Sequence, residues 1–194
     1  LHAAGPQMDE ARVARIVARA QALEGDLVLL MGDYRATHPY QTRRVPIEAV
    51  APILAGLRAP LGIYAINGNH DWWDDAEAQA RRRGPIHTAI VLEAAGIPVL
   101  VNRAVKIGEG EAAFWLGGLD SQSALPGGGG GNDLPGLLAQ VTDDAPMILA
   151  AHEPDVFAEG TPRVALQLSG HTHGGQITFF GWRPVVPSRY GARY

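Results

Sequence analysis

The sequence predicts an α/β fold, and three observations carry that expectation. Nearly continuous apolar runs of strand length, residues 26–31, 61–66 and 146–151 among them, alternate with stretches whose apolar residues recur at helical spacing. Two further runs, 105–107 and 113–119, flank a Gly-Glu-Gly-Glu turn and read as a hairpin, so the sheet mixes parallel with antiparallel pairing. The apolar runs also release their polar, chemistry-bearing residues at one and the same end, the C-terminal one, where open α/β sheets place ligands.

Taken in order, Leu1 to Pro6 form a loop-like lead into a helix marked by Val13, Ile16, Val17, Ala20 and Leu23 and ended by Gly25. The run 26–31 follows and empties into Gly32-Asp33-Tyr34. A helix over 47–57 then leads to the run 61–66, which empties into Asn67-Gly68-Asn69-His70-Asp71. Trp72 and Trp73 come next as packing residues or as a wall beside that polar cluster. Arg81, Arg82 and Arg83 lie on a helix and read as a solvated face. A helix over 85–95 leads through Gly96 to 97–101 and then to the hairpin. The five glycines 127–131 are expected to be a mobile loop. A short helix over 134–141 precedes the run 146–151, which exits at His152; Glu153-Pro154 fits a helix start. The run 164–168 exits into Ser169-Gly170-His171-Thr172-His173-Gly174-Gly175-Gln176.

Composition bounds the chemistry. With 194 residues and 46% hydrophobic content, one compact domain over 1–194 with a sizeable core is expected. A net charge of −4 and a pI near 6.0 argue against a generalised nucleic-acid or membrane-surface binder, which would normally be basic. Phosphate recognition would therefore be local, and Arg43, Arg44, Arg183 and Arg189 read as surface cations. The chain has no cysteine, which leaves His, Asp, Asn and Glu as metal ligands. No stretch approaches the roughly 20 apolar residues needed to span a bilayer.

Each polar exit is unremarkable alone, since Gly-Asp caps turns and single histidines are usually structural. Together they point to a site. Four apolar runs deliver Asp33, Asn69-His70, His152 and His171/His173 to one edge, whereas accidents would scatter such residues over both ends of a sheet. Two histidines two residues apart at a strand mouth reach one small volume, and that volume suits metal ions.

In this order and at these exits, Gly32-Asp33, Gly68-Asn69-His70-Asp71, His152 and Gly170-His171-Thr172-His173 resemble the calcineurin-like metallophosphoesterases over nearly the whole chain. The form Gly-His-Thr-His-Gly-Gly-Gln and the tail Pro187-Ser188-Arg189-Tyr190-Gly191 further resemble a bacterial branch of small phosphodiesterases. Some of these act on phosphodiester or pyrophosphate bonds, including a nucleotide-lipid pyrophosphate.

The resemblance implies a four-layer α-β-β-α sandwich of two mixed sheets, truncated here at both ends. Leu1-His2 matches the end of a first strand that closes in Asp-any-His, and the family continues past the tyrosine-rich tail. The chain is thus expected to be an internal piece of a longer bacterial protein, cytoplasmic or associated with a membrane through a segment outside it.

The resemblance also implies that Asp33 bridges two divalent ions, Asn69, His152 and His171 hold one, and His2 and His173 hold the other. His70 is left unligated near the leaving group. Such ions, about 3.5–4 Å apart, clamp an anionic phosphoester and supply a bridging hydroxide. The ligand types suit Mn, Fe, Zn, Ni or Co, with Mn favoured.

The expected function is a metal-dependent phosphoesterase acting on phosphodiester or pyrophosphate bonds of small-molecule or lipid-linked substrates. A phosphomonoesterase or protein phosphatase and a non-catalytic metal-binding scaffold are the alternatives. Amidohydrolases also use His-any-His, but early in an eightfold strand-helix barrel, which this chain does not show.

Overall fold

The computed structural model describes residues 1–175 and 178–193, so Gln176 of the histidine motif lies outside the described residues. Ala4–Gly5 form β1, and helix α1 follows over Glu10–Gln21, with the Asp9 carboxylate accepting the Arg12 N–H at 2.8 Å as N-cap. Next come β2 (Val28–Leu30), β3 (Arg43–Arg44), α2 (Ile47–Leu54) and β4 (Ile63–Ala65). Three short helices, α3 (Asn69–Trp73), α4 (Ala76–Arg81) and α5 (His87–Ala94), fill the next stretch. The second half carries β5 (Arg103–Ile107), β6 (Phe114–Leu119), α6 (Leu134–Leu138), β7 (Met147–Ala151) and β8 (Val164–Leu168).

Strands β2 and β4 pair in parallel, and a single parallel bridge between Ala65 and Val99 extends that sheet. The other large sheet has the order β5-β6-β7-β8. Its β5–β6 pair is the expected antiparallel hairpin, and its other pairs are parallel, so it is mixed. The small pair β1–β3 is antiparallel.

The period of two along a strand sorts side chains between layers. On β2 and β4, Leu30, Ile63 and Ala65 pack with Val13, Val50, Leu54, Ala89 and Leu92 of α1, α2 and α5. The alternate residues Leu29 and Tyr64 pack with Leu116, Ile148 and Ala150 of the mixed sheet. On β7, Met147, Leu149 and Ala151 turn outward to Leu134 and Leu137 of α6. Helices, sheet, sheet and helix thus form four layers, as the α/β sandwich requires.

One element was not foreseen, and one expectation needs correction. After β4, Gly68 is the N-cap of α3, so Asn69 and His70 sit on the first turn of a helix. The glycine run 127–131 is not wholly loose. A Cβ on Gly130 would lie 2.7 Å from the backbone of Gln122, and one on Gly131 would lie 2.4 Å from the Asp120 carboxylate. The Gly131 N–H donates to the Ser121 carbonyl at 2.9 Å. Glycine is needed there for close approach, a use that a string of identical residues does not reveal.

Candidate metal centre

Four strand exits meet because their backbones are tied together. Tyr34, fully buried, shares its hydroxyl proton between the carbonyls of Leu30 and Ile66, both at 3.0 Å, which joins the ends of β2 and β4. Gly32 and Gly68 then let the two exit loops touch. A Cβ on Gly32 would lie 2.5 Å from the Gly68 nitrogen, and one on Gly68 would lie 2.2 Å from Asp33 Oδ1. The Gly170 N–H donates to the His152 carbonyl at 2.9 Å, which lays the loop after β8 against the exit of β7. His2 arrives along a parallel path, its N–H donating to the Asp33 carbonyl at 2.8 Å.

The side chains so placed converge on Asp33, which is 3% exposed. His2 Nε2 lies 3.3 Å and His152 Nε2 3.1 Å from Asp33 Oδ2, while the His70 N–H donates to Asp33 Oδ1 at 3.0 Å. His2 Nε2 and His173 Nε2 are 2.9 Å apart, and His171 Nδ1 meets Asn69 Oδ1 at 2.9 Å. The His152 and His171 rings are 5.2 Å apart, and the His2 and His70 rings 4.6 Å. Two groups of donor atoms therefore share Asp33: one with His2 and His70, the other with His152 and His171. All seven residues singled out from the sequence lie in this cluster.

The donors fit divalent cations. His152 Nδ1 meets the Met31 carbonyl at 2.6 Å, and a carbonyl only accepts, so that nitrogen carries a proton. In the neutral imidazole, Nε2 is then a lone pair facing a carboxylate oxygen, buried and without a hydrogen-bond partner among the described residues. Two acceptors attract only with a cation or a proton between them. A proton can take that place as well as a metal ion. Burial pushes Asp33 up, yet the imidazoles of His152 and His2 hold it well below the usual carboxylate range. Burial pushes His152 down, but Asp33 outweighs it and holds the imidazole above its ordinary value. Asp33, His2, His171 and His173 all have positive φ, between 51° and 64°, a conformation rare for such side chains and concentrated at functional sites.

Two further residues, Asp71 and Thr37, support the site and were given no role from sequence, and a third, Trp73, takes the wall position beside it. Asp71, buried beneath Asp33, accepts the N–H groups of Asp33, Tyr34 and Gly68 at 2.8, 3.0 and 2.8 Å and fixes the loop carrying Asp33. Burial first, then the Asp33 charge, pushes Asp71 up to about 6. Thr37 Oγ1 bonds His70 Nδ1. The hydroxyl can donate there, leaving a proton on Nε2. Burial and the nearby His2, His152 and His171 push His70 down to about 4 against the pull of Asp33. Trp73 packs on His70 with ring centroids 4.9 Å apart, and with Val185 and Pro187 it forms the apolar wall of a cavity of about 280 Å³ over Asp33. A larger cavity, about 650 Å³, lies beside Trp72 and Asp120, but no histidine lines it.

A family model for the calcineurin-like phosphoesterases matches residues 8–175. The chain belongs to this family. A protein of Bacillus subtilis described as the uncharacterized metallophosphoesterase YkuE is 34% identical over 76% of this chain and 48% of its own length. A Danio rerio transmembrane protein with metallophosphoesterase domain is 30% identical over 89% of this chain and 38% of its own. An uncharacterized metallophosphoesterase of Aquifex aeolicus is 30% identical over 92% and 62%. The chain thus spans less than half the length of the first two relatives. No solved structure matches it significantly.

Proposed function

We propose that the chain is a dinuclear metal-dependent hydrolase of phosphodiester or pyrophosphate bonds. The observation that carries this reading is the buried Asp33 carboxylate shared by two groups of imidazole nitrogens. Asp33 would bridge the ions, Asn69, His152 and His171 would hold one, and His2 and His173 the other; manganese is the favoured metal. A pair of such ions, when bound, supplies positive charge to the phosphoryl oxygens and acidifies a water.

The chain's own residues do the rest. Asp71 orients the Asp33 backbone through three N–H bonds, and the Met31 carbonyl orients His152. Trp73 packs one side of His70, and Thr37 holds its Nδ1; with the hydroxyl donating there, Nε2–H would be offered to the leaving-group oxygen. Asn69 adds an oxygen donor without further negative charge. Trp73, Val185 and Pro187 line one side of the cavity and suit an apolar or aromatic ester group on the phosphoryl centre. We read residues 1–194 as one domain. The transmembrane description of the Danio rerio relative is compatible with lipid-linked substrates and a membrane setting.

The test is turnover of bis(p-nitrophenyl) phosphate against p-nitrophenyl phosphate by the manganese-loaded chain. Faster diester cleavage is expected. Cleavage of the monoester alone would move the reading to a phosphomonoesterase, and none of either to a metal-binding scaffold.

A further inference from the structure

Beyond the catalytic cluster, the segment after the histidine loop carries a second surface. Phe179 and Trp182 pair as an isolated antiparallel bridge, with the Phe179 N–H donating to the Trp182 carbonyl at 2.8 Å and the Trp182 N–H returning to the Phe179 carbonyl at 2.9 Å. Between them stand Phe180 at φ +49° and Gly181 at φ +86°, so the two-residue loop has the positive φ angles of a type I′ turn. Asn-Gly is the usual choice there. A bulky aromatic at the first position is conformationally unfavourable, and nothing in the fold repays it, because Phe180 is wholly exposed. Phe179 and Trp182 are 60% and 67% exposed beside it. Three large aromatic side chains thus project from one tip, where a water-facing turn would carry polar residues.

Charge and position say what meets this tip. Residues 178–193 hold Arg183, Arg189 and Arg193 and no acidic residue, in a chain whose net charge is −4; Arg183 stands next to the turn, and Arg189 is 4.0 Å from the Asp155 carboxylate. Aromatic rings with flanking arginines fit the headgroup layer of an anionic bilayer, where the rings enter the interface and the cations meet lipid phosphates. The same segment reaches the catalytic cluster. Val185 and Pro187 line the cavity over Asp33, and a Cβ on Gly175 would lie 2.6 Å from the Arg183 side chain, so Arg183 lies directly against the histidine loop.

We propose that the Phe179–Trp182 turn docks the chain on the surface of an anionic membrane and holds the mouth of the site at the lipid interface. The proposal deepens the phosphoesterase reading by favouring membrane-borne phosphoesters as substrates, but docking itself does not depend on catalysis.

The test is co-sedimentation of the chain with phosphatidylcholine vesicles with and without phosphatidylglycerol, at low and high salt. Binding to the phosphatidylglycerol vesicles is expected, weakened by salt. Phe180→Asn places the preferred residue in the turn, so it keeps the fold; it should weaken binding roughly tenfold while leaving turnover of soluble bis(p-nitrophenyl) phosphate unchanged. A chain that stays in the supernatant with both vesicle types, as it would if the turn were a protein contact, overturns the proposal. So does Phe180→Asn binding as tightly as wild type. Loss of soluble turnover in the wild type with binding intact would count against the phosphoesterase reading and leave docking standing.

Discussion

Trp72 and Trp73 are adjacent in sequence but face two different buried carboxylate systems. Trp72 donates its indole N–H to Asp120 at 2.9 Å, and Asp120 also accepts from the Asn67 amide at 3.0 Å and the Ser121 N–H at 3.0 Å. Nearby, Glu153 accepts from the Ser121 hydroxyl and from the N–H groups of Gln122 and Ser123. These carboxylates meet donors. On the Trp73 side, Asp33 faces imidazole nitrogens, one of which has its proton engaged elsewhere, and adjacent histidines point ring nitrogens at one another. Acceptors meeting donors make a scaffold. A carboxylate and imidazole lone pairs turned on one another leave a place that a metal ion or a proton completes.

The strongest challenge to that contrast is Asp33→Asn, which should take turnover to background by removing the shared anionic ligand, while Asp120→Asn leaves turnover within a few-fold. Steady-state kinetics on manganese-loaded protein checks both. Next in size is His70→Asn, expected to keep metal content and lower kcat by about 10²–10³-fold, the usual scale for removing one hydrogen-bond donor aimed at developing charge. Unchanged kcat would remove His70 from the chemistry.

A stability effect follows in size. Asp71→Ala leaves three buried N–H groups without a partner and should destabilise by about 3 kcal/mol or more in urea unfolding. Asp120→Ala, which strands an indole, an amide and the Ser121 N–H, should cost about 2–3 kcal/mol. If Asp71→Ala were neutral, the loop carrying Asp33 would be held by something else.

The smallest effect belongs to the far edge of the mixed sheet. Hydrogen bonds from Lys106 and the Trp115 indole hold Asp143 down to about 2. A depressed carboxylate contributes stability above its unfolded-state value, and that contribution is lost as pH falls toward its folded one. Asp143→Asn should therefore lower Tm slightly at pH 7 and progressively less as the pH falls toward 2, as thermal melts would show.

Much of the site was legible because each of its parts abuts an apolar run. Asp33, Asn69, His70, His152, His171 and His173 follow strands that the sequence marks by hydrophobicity, and parallel strands put their exits on one edge. His2 was legible only through the family resemblance, since no local pattern sets it apart; a backbone pairing with the segment after β2 brings it in. The supporting residues were hidden for a different reason. Thr37 meets His70, and Asp71 meets Asp33, across more than thirty positions, and neither lies on a periodic pattern that announces the partner. Strand extents were also overestimated. The run 26–31 pairs only over Val28–Leu30, because Gly32 at positive φ and the bond from Tyr34 to Leu30 turn the chain early. The layers were clearer: alternation along β7 sends Leu149 to α6 and Ala150 to the other sheet.

The most direct test of the central claim is the metal content of the wild-type chain, Asp33→Asn and Asp120→Asn after manganese loading and removal of excess ion. About two ions per wild-type chain are expected, with a clear loss in Asp33→Asn and none in Asp120→Asn. Equal metal content in all three, or loss caused by Asp120→Asn alone, would contradict the account, because the cation would then not depend on the carboxylate that faces imidazoles.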